Sequence, residues 1–327
     1  MTSLTDIPGP STTAGERLSP VQAVGRIRLA VIIPFFNDMA KLERTVRSLI
    51  AQTLPPSRVV LVDDCGTERL DPSIAEALGA AGIAMDLVVN TVNRGPGGSR
   101  QAGMEMLPAE LDFLMFLDSD DFLSPNCLEA LAEAHLREPG LAATYASSRN
   151  LHTGEMRLEA DREPFDNLLD GMLLGPRGWG TGSLLWRYAQ VRGVRWPTMR
   201  KIEDSHFELS AALLNPRIRH VPAAVIHIDQ TWEPERLVRR NRHLVESDRQ
   251  RLVELYQRIL RHYPMDTPEA RRKGYRRRAV YRWMRLTPQQ GGAYLREALS
   301  YLKAGHWRTM LLMLYYLPRA WRRDGRR

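Results

Sequence analysis

Five short apolar runs, Leu29–Ile33, Val59–Val62, Leu87–Val89, Phe113–Leu117 and Ala142–Ala146, punctuate the first half of the chain. Each is continuous rather than alternating and is bounded by polar or turn residues, as in strands whose two faces are both covered. Between the first two, Leu42, Val46, Leu49 and Ile50 follow an i, i+4, i+7, i+8 spacing, which is one face of a helix. After Leu117, Ser124-Pro125 predicts an N-cap followed by proline at N1, with Leu128, Leu131 and His135 along one side. Phe207, Ala211 and Leu214 mark a further helix with Asp204 in its first turn, and Val221–Ile226 is another apolar run. Strand and helix in alternation predict an α/β layered, mostly parallel sheet flanked by helices. In such sheets ligands bind beyond the carboxyl ends of the strands.

Composition bounds this picture without changing it. A chain of 327 residues with 43% hydrophobic and 26% charged residues is not disordered throughout. Residues 1–27, rich in Ser, Thr, Pro and Gly, read as a disordered leader; 28–235 carry the alternating body; 236–327 read as arginine-rich helices. Charge separates the last two parts. From Arg236 to Arg327 there are 24 basic and 7 acidic residues, against 22 and 31 in the remainder. The body is acidic and the tail is basic. Cys65 and Cys127 form no Cys-x-x-Cys pair, no run reaches the ~18–20 apolar residues of a spanning helix, and the first residues lack an apolar signal core. The expected location is the cytoplasm.

The residues just past each predicted strand are the site candidates: Pro34, Phe36, Asn37 and Asp38; Asp63 and Asp64; Asn93 to Arg100; and Asp118-Ser119-Asp120-Asp121. Asp118 and Asp120 repel one another at a strand end, and a divalent cation relieves that repulsion; hard oxygen ligands favour Mg²⁺ or Mn²⁺, which also bind substrate phosphate. The competing reading is an acidic turn that caps the next helix. Gly95, Gly97, Gly98 and Gly103 allow close backbone approach, but their spacing and their place after the third strand do not fit a dinucleotide fingerprint. Arg100 has two available partners, a phosphate or the acidic cluster.

The series Val31-Ile32-Ile33-Pro34-Phe35-Phe36-Asn37, Val62-Asp63-Asp64-Cys65-Gly66-Thr67, Asn93-x-Gly95…Ser99-Arg100-Gln101-x-Gly103, Phe116-Leu117-Asp118-Ser119-Asp120-Asp121 and Glu203-Asp204 resembles family 2 glycosyltransferases of the GT-A fold over about 28–230. The resemblance implies an inverting transferase acting on a nucleotide-sugar donor, most often a UDP-sugar. It implies that Asp64 hydrogen-bonds the base, with Pro34 and Phe36 lining the nucleoside pocket. Asn37, Asp63, Asn93, Arg100, Asp118 and Ser119 complete the expected donor site. Asp120, helped by Asp118, would hold the metal on the diphosphate, and Asp204 would be the general base; a simple helix cap is the other reading of Asp204.

Gly178-Trp179-Gly180-Thr181-Gly182-Ser183 places small residues beside an indole, either as a wall for a sugar ring or as core packing. Trp179, Gly180, Thr181 and Glu203 are the acceptor-side candidates. His227 is a candidate for the metal or diphosphate, or else a structural histidine beside a strand. In the tail, Trp307, Arg308, Met310 through Leu317, Pro318, Trp321 and Arg322-Arg323 suit a helix lying in an anionic membrane surface, beside a glycan or lipid-linked acceptor; a helix packed on the catalytic body is the alternative. A phosphatase or phosphotransferase also uses Asp-x-Asp, but usually on its first strand. A nucleic-acid partner is not expected, because the positive charge is confined to the tail while the predicted cleft is acidic.

Overall fold

The computed structural model describes residues 27–156, 164–174, 177–199, 201–229, 246–261, 274–280, 295–296, 298–301 and 308–315. Residues 1–26 of the expected leader over 1–27, and Trp307, Tyr316, Leu317, Pro318, Trp321, Arg322 and Arg323 of the tail, lie outside these residues.

The first half builds a parallel sheet from β1 (Leu29–Phe35), β2 (Arg58–Asp63), β3 (Ala84–Val89) and β4 (Phe113–Phe116), crossed by α1 (Met39–Ile50), α2 (Pro72–Ala80) and α3 (Gly95–Glu105). It continues through β5 (Phe122–Leu123), α4 (Cys127–Arg137), β6 (Ala143–Asn150), β7 (Leu184–Arg187), α5 (Tyr188–Val191), α6 (Glu203–Ala212), β8 (Ile218–Ile228) and α7 (Glu246–Arg261). The eight strands form one sheet in the order β3-β2-β1-β4-β7-β6-β8-β5. β6 and β8 are parallel, whereas β7 runs antiparallel to both β4 and β6, and β5 antiparallel to β8.

Strand periodicity explains the two cores. Ala30, Ile32, Val60, Val62, Leu114 and Phe116 point to one face and pack with α3, α6 and α7; Leu29, Val31, Ile33, Val59, Leu61, Phe113 and Met115 point to the other and pack with α1, α2 and α4. Successive side chains alternate faces, so a run buried on both sides must be apolar at every position. His135 on α4 is fully buried, stacks on Phe113 at 4.7 Å and bonds the Leu185 carbonyl at 2.9 Å, which ties α4 to β7. Burial pulls its imidazole down to about 4, so it packs as a neutral ring.

Two expectations change, and one strand is new. β3 is an edge strand, and Leu87 and Val89 are exposed rather than buried because no strand covers their outer side. The helix expected at Ser124-Pro125 starts at Cys127 with Asn126 as its cap; the Ser124 hydroxyl lies 3.2 Å from His227 Nε2 instead. Antiparallel β7, inserted between β4 and β6, was not predicted. The described tail residues are helical, and Leu252, Leu255, Ile259, Tyr275, Val280, Tyr301 and Met313 join the core on the α3 and α6 face. Tyr275 donates to Asp170 Oδ1 at 2.6 Å and Arg278 Nε to the Leu173 carbonyl at 3.1 Å. No helix among the described residues is long and apolar enough to cross a membrane.

α3 can lie close on the sheet because of Gly103, where a Cβ would sit 2.6 Å from Ile32 Cγ2 and 3.2 Å from Val62 Cγ2. Gly103→Ala is therefore expected to destabilise the protein by about 1–3 kcal/mol in denaturant unfolding. Gly79→Ala on α2, where a Cβ would meet nothing within 4 Å, should stabilise it by roughly 0.5–1 kcal/mol. Equal effects at the two positions would refute the close-packing account.

Candidate functional site

β1 ends at Pro34 and Phe35, opposite Val62 and Asp63 of β2. Beyond them Asn37 and Asp38 adopt left-handed backbone (φ 57 and 58), a conformation that Asn and Asp tolerate better than most residues. Asn37 Oδ1 accepts from the N–H groups of Thr67 at 2.8 Å and Glu68 at 3.0 Å, and so fastens the two strand ends together. Asp63 Oδ1 accepts from Gly66 N–H at 2.7 Å. Phe36 is exposed beside them.

Asp64 turns inward just past the end of β2. It is buried, with Oδ1 accepting from Asn90 Nδ2 at 3.0 Å and Arg94 N–H at 2.8 Å, and Oδ2 from Gly95 N–H at 2.8 Å. A carboxylate at the first N–H groups of α3 satisfies donors that have no partner within the helix and complements its dipole. Asp64 therefore anchors the glycine-bearing turn, and Asn93 Nδ2 reinforces it with a 3.3 Å bond to the Asp64 carbonyl.

The acidic stretch after β4 is held from α1. Arg44 donates to the Asp120 carbonyl at 2.6 Å, and the Thr45 hydroxyl lies 2.8 and 2.7 Å from the carbonyls of Ser119 and Asp121. Asp121 is buried, and its Oδ1 accepts from Asp229 N–H at 3.1 Å. Asp118, 42% exposed at its side chain, pairs with Arg100 at 2.5 Å. Of the two partners open to Arg100, the structure gives it the acidic cluster: Glu203 lies 3.5 Å away, and Trp196 lies beneath the guanidinium at 4.8 Å. Burial opposes the Arg100 charge, but Asp118 and Glu203 outweigh it and hold the guanidinium protonated. Burial also pushes the Glu203 carboxyl up against the pull of Arg100.

Asp118 and Asp204 meet in one cavity of about 200 Å³, together with Asp121, Ser148, Arg177, Trp179, Gly180, Thr181 and Ser183. Asp204 lies in the first turn of α6, after Ile202, whose φ of 60 is rare for a β-branched residue. Such local strain concentrates at functional sites. Asp204 Oδ2 accepts from Arg177 at 2.6 Å, and Oδ1 from Ser205 N–H at 2.6 Å. Burial pushes its carboxyl up, yet Arg177 and these hydrogen bonds bring it below the ordinary aspartate range, so it is ionised.

Arg177 escaped the sequence reading. It sits between Asp204 and Glu208, 2.7 Å from Glu208 Oε1, with Thr181 Oγ1 at 3.2 Å. Only its place as a single cation in a glycine- and proline-rich stretch could have marked it. Trp179 is fully buried and donates to Glu208 Oε2 at 2.9 Å, so it is both core and cavity wall. His227 is turned elsewhere: its ring stacks on Phe122 at 4.5 Å and its Nε2 faces Ser124. These are the contacts of a structural histidine beside a strand.

No group of three or more His, Cys, Asp or Glu among the described residues could by itself hold a metal. Mg²⁺ and Mn²⁺ are commonly held by one or two carboxylates, with substrate phosphate completing the shell. The all-oxygen set of Asp118 and Asp120, in the partly exposed turn after β4, fits that mode.

A glycosyl transferase family 2 model matches residues 30–188. The succinoglycan biosynthesis protein ExoW of Rhizobium meliloti is 39% identical over 107 residues, covering 31% of this chain and 32% of its own. Hyaluronan synthase of Streptococcus pyogenes is 32% identical over 133 residues, covering 38% and 31%. An uncharacterised glycosyltransferase of Haemophilus influenzae is 25% identical over 186 residues, covering 55% and 60%. The chain thus spans between about a third and three fifths of the length of these relatives. Among solved structures, S. aureus TarS 1–349 superposes with a TM-score of 0.59 at 19% identity over 92% of each chain. The mannosyltransferase PcManGT of Pyrobaculum calidifontis superposes with a TM-score of 0.50 at 14% identity, covering 89% of this chain and 87% of its own. At these identities the structural likeness is one of fold, and it is the GT-A fold. Residues 30–188 are a glycosyl transferase family 2 domain.

Proposed function

We propose that this chain transfers a sugar, with inversion, from a nucleoside diphosphate donor of the UDP-sugar class to a hydroxyl of a glycan or lipid-linked acceptor. The observation that carries this reading is that the wall of one cavity contains Asp118 from the end of a central strand and Asp204 from the first turn of a helix. Transfer needs two things on opposite sides of the anomeric carbon: stabilisation of the departing diphosphate, and a base for the incoming hydroxyl. The donor's nucleoside is assigned to the ends of β1 and β2, near Pro34 and exposed Phe36, and its diphosphate to Asp118 and Asp120. TarS has been solved with UDP-GlcNAc and PcManGT with GDP-Man and Mn²⁺, which supports the donor class and the metal. A Mg²⁺ or Mn²⁺ ion held by Asp118 and Asp120 would supply positive charge to the diphosphate.

The chain's own residues complete the chemistry. Asp204, ionised and facing the cavity, takes the proton of the acceptor hydroxyl as that oxygen attacks. Arg177 holds the carboxylate in place, and Trp179, Gly180 and Thr181 form the wall on the acceptor side. The proposed acceptor class draws on the polysaccharide assembly named in the relatives.

In the basic tail, Leu311 and Tyr315 of the helical stretch 308–315 are exposed while Met313 is buried in the core. An apolar pair on the outer side of a packed helix, within an arginine-rich segment, supports attachment to an anionic membrane surface. The full chain should float with vesicles containing anionic lipid, lose that association as salt is raised, and ignore neutral vesicles. Equal flotation with both lipids would refute the attachment.

Asp204→Asn should retain UDP-sugar binding within about twofold and lower turnover by about 10²–10⁴-fold. Because the base works deprotonated and Arg177 holds its carboxyl below the ordinary aspartate range, the acid limb of kcat/KM should lie below that range too. Arg177→Gln should move that limb upward. Normal turnover in Asp204→Asn would refute the base assignment.

In a thermal-shift screen of nucleotide sugars, one UDP-sugar should stabilise the protein more with Mn²⁺ than without it, and Asp120→Ala should abolish the difference. A metal-dependent shift that survives Asp120→Ala would refute the metal assignment.

A further inference from the structure

Asp204 and Glu208 stand four residues apart on α6, the spacing at which side chains on a helix meet and like charges repel. Glu208 is 1% exposed, does not line the cavity, and is engaged through both oxygens: Oε1 by Arg177 at 2.7 Å and Oε2 by the Trp179 indole at 2.9 Å. The indole is itself fixed. Tyr145 and Phe165 pack on it at 5.3 and 6.1 Å, and a Cβ on Gly171 would lie only 2.3 Å from its ring. The contacts therefore run in one direction, from a locked tryptophan to a buried glutamate, to a guanidinium, and finally to the carboxylate that faces the cavity.

We propose that Glu208 is a positioning residue for transfer: anchored by Trp179, it fixes Arg177 from beneath, and Arg177 in turn presents Asp204 to the acceptor. This rests on the transfer reaction proposed above. A guanidinium carries a planar fork of donors, so anchoring one arm sets the direction of the other. With Glu208 removed, Arg177 keeps its bond to Asp204 but loses the contact that aims it. Burial pushes the Glu208 carboxyl up to about 7, so it is a poor device for stability alone. A role in orientation accounts for an ionisable group at that depth.

The test compares Glu208→Gln, Glu208→Leu and Trp179→Phe with the wild type, using the UDP-sugar found in the thermal-shift screen. Glu208→Leu should lower kcat by about 10- to 100-fold while leaving the donor KM within about twofold, since misplacing a reacting group weakens chemistry more than binding. Glu208→Gln, which keeps an acceptor for Arg177, should fall between Glu208→Leu and the wild type. Trp179→Phe keeps an aromatic ring but removes the indole donor, so it should lower kcat in the same sense even if Glu208→Leu does not fold. The acid limb of kcat/KM should also move, because Asp204 is surrounded by Arg177, Arg100, Glu203, Asp118 and Glu208, and only the last changes. Wild-type kcat in a folded Glu208→Leu, or in Trp179→Phe where that variant does not fold, would overturn the positioning role alone. A loss confined to KM would do the same. A wild type that turns over no nucleotide sugar would overturn the transfer reaction and the inference with it.

Discussion

The carboxyl edge of this sheet gathers more negative charge than it can hold unaided, and two arginines make the arrangement possible. Arg100 bridges Asp118 and Glu203; Arg177 bridges Asp204 and Glu208. Arg100 lies between carboxylates from separate segments, and Arg177 between two carboxylates on one helix, so each guanidinium joins its own segment to α6. Arg100 connects α3 and the end of β4 to the start of α6, and Arg177 connects the glycine-rich wall to that same helix. Because both arginines are largely buried, removing one would leave two carboxylates facing each other in a medium that screens them weakly. The cavity is therefore an electrostatic construction as well as a steric one, and the apolar layers on both faces of the sheet give it a rigid base.

That division sets what could be read from the sequence. The runs at Leu29–Ile33 and Val59–Val62 announced buried strands because both faces of a central strand demand apolar residues, and β1 and β2 lie where those runs do. Asp118 could be placed because it follows an apolar run, and Asp204 because Phe207 and Ala211 mark the helix whose first turn holds it. β7 was not: Leu184-Leu185-Trp186 is too short to separate from the glycine-rich segment before it, and its antiparallel direction depends on pairing with β4 and β6, which periodicity does not encode. The inward turn of Asp64 was equally hidden. A carboxylate at a strand end can face solvent or the next helix, and here the N–H groups of Arg94 and Gly95 decide it. Arg177 lies in no periodic element, and Glu208 looks like a surface residue of α6 until the fold buries it. Its neighbours Phe207 and Leu209, both buried, were the available hint that this face of the helix turns inward.

Charge balance links the site to its ligand. Asp118, Glu203, Asp204 and Glu208 oppose Arg100 and Arg177, so with all four carboxylates ionised the cluster is negative by two charges. Burial lessens this by pushing Glu203 and Glu208 toward their neutral forms, but Asp204 stays ionised beside Arg177. The proposed donor diphosphate would bring further negative charge to the same rim. The two arginines cannot serve it without releasing the carboxylates they hold, and releasing Asp204 would disturb the group assigned as base. A divalent cation, which Asp118 and Asp120 would hold under the proposed function, would supply charge to the leaving group while Arg177 stays on Asp204. The commitment of the buried arginines thus favours the proposed metal, and in the proposed reaction it would separate two tasks: one cation for the departing phosphate, and Arg177 for the base.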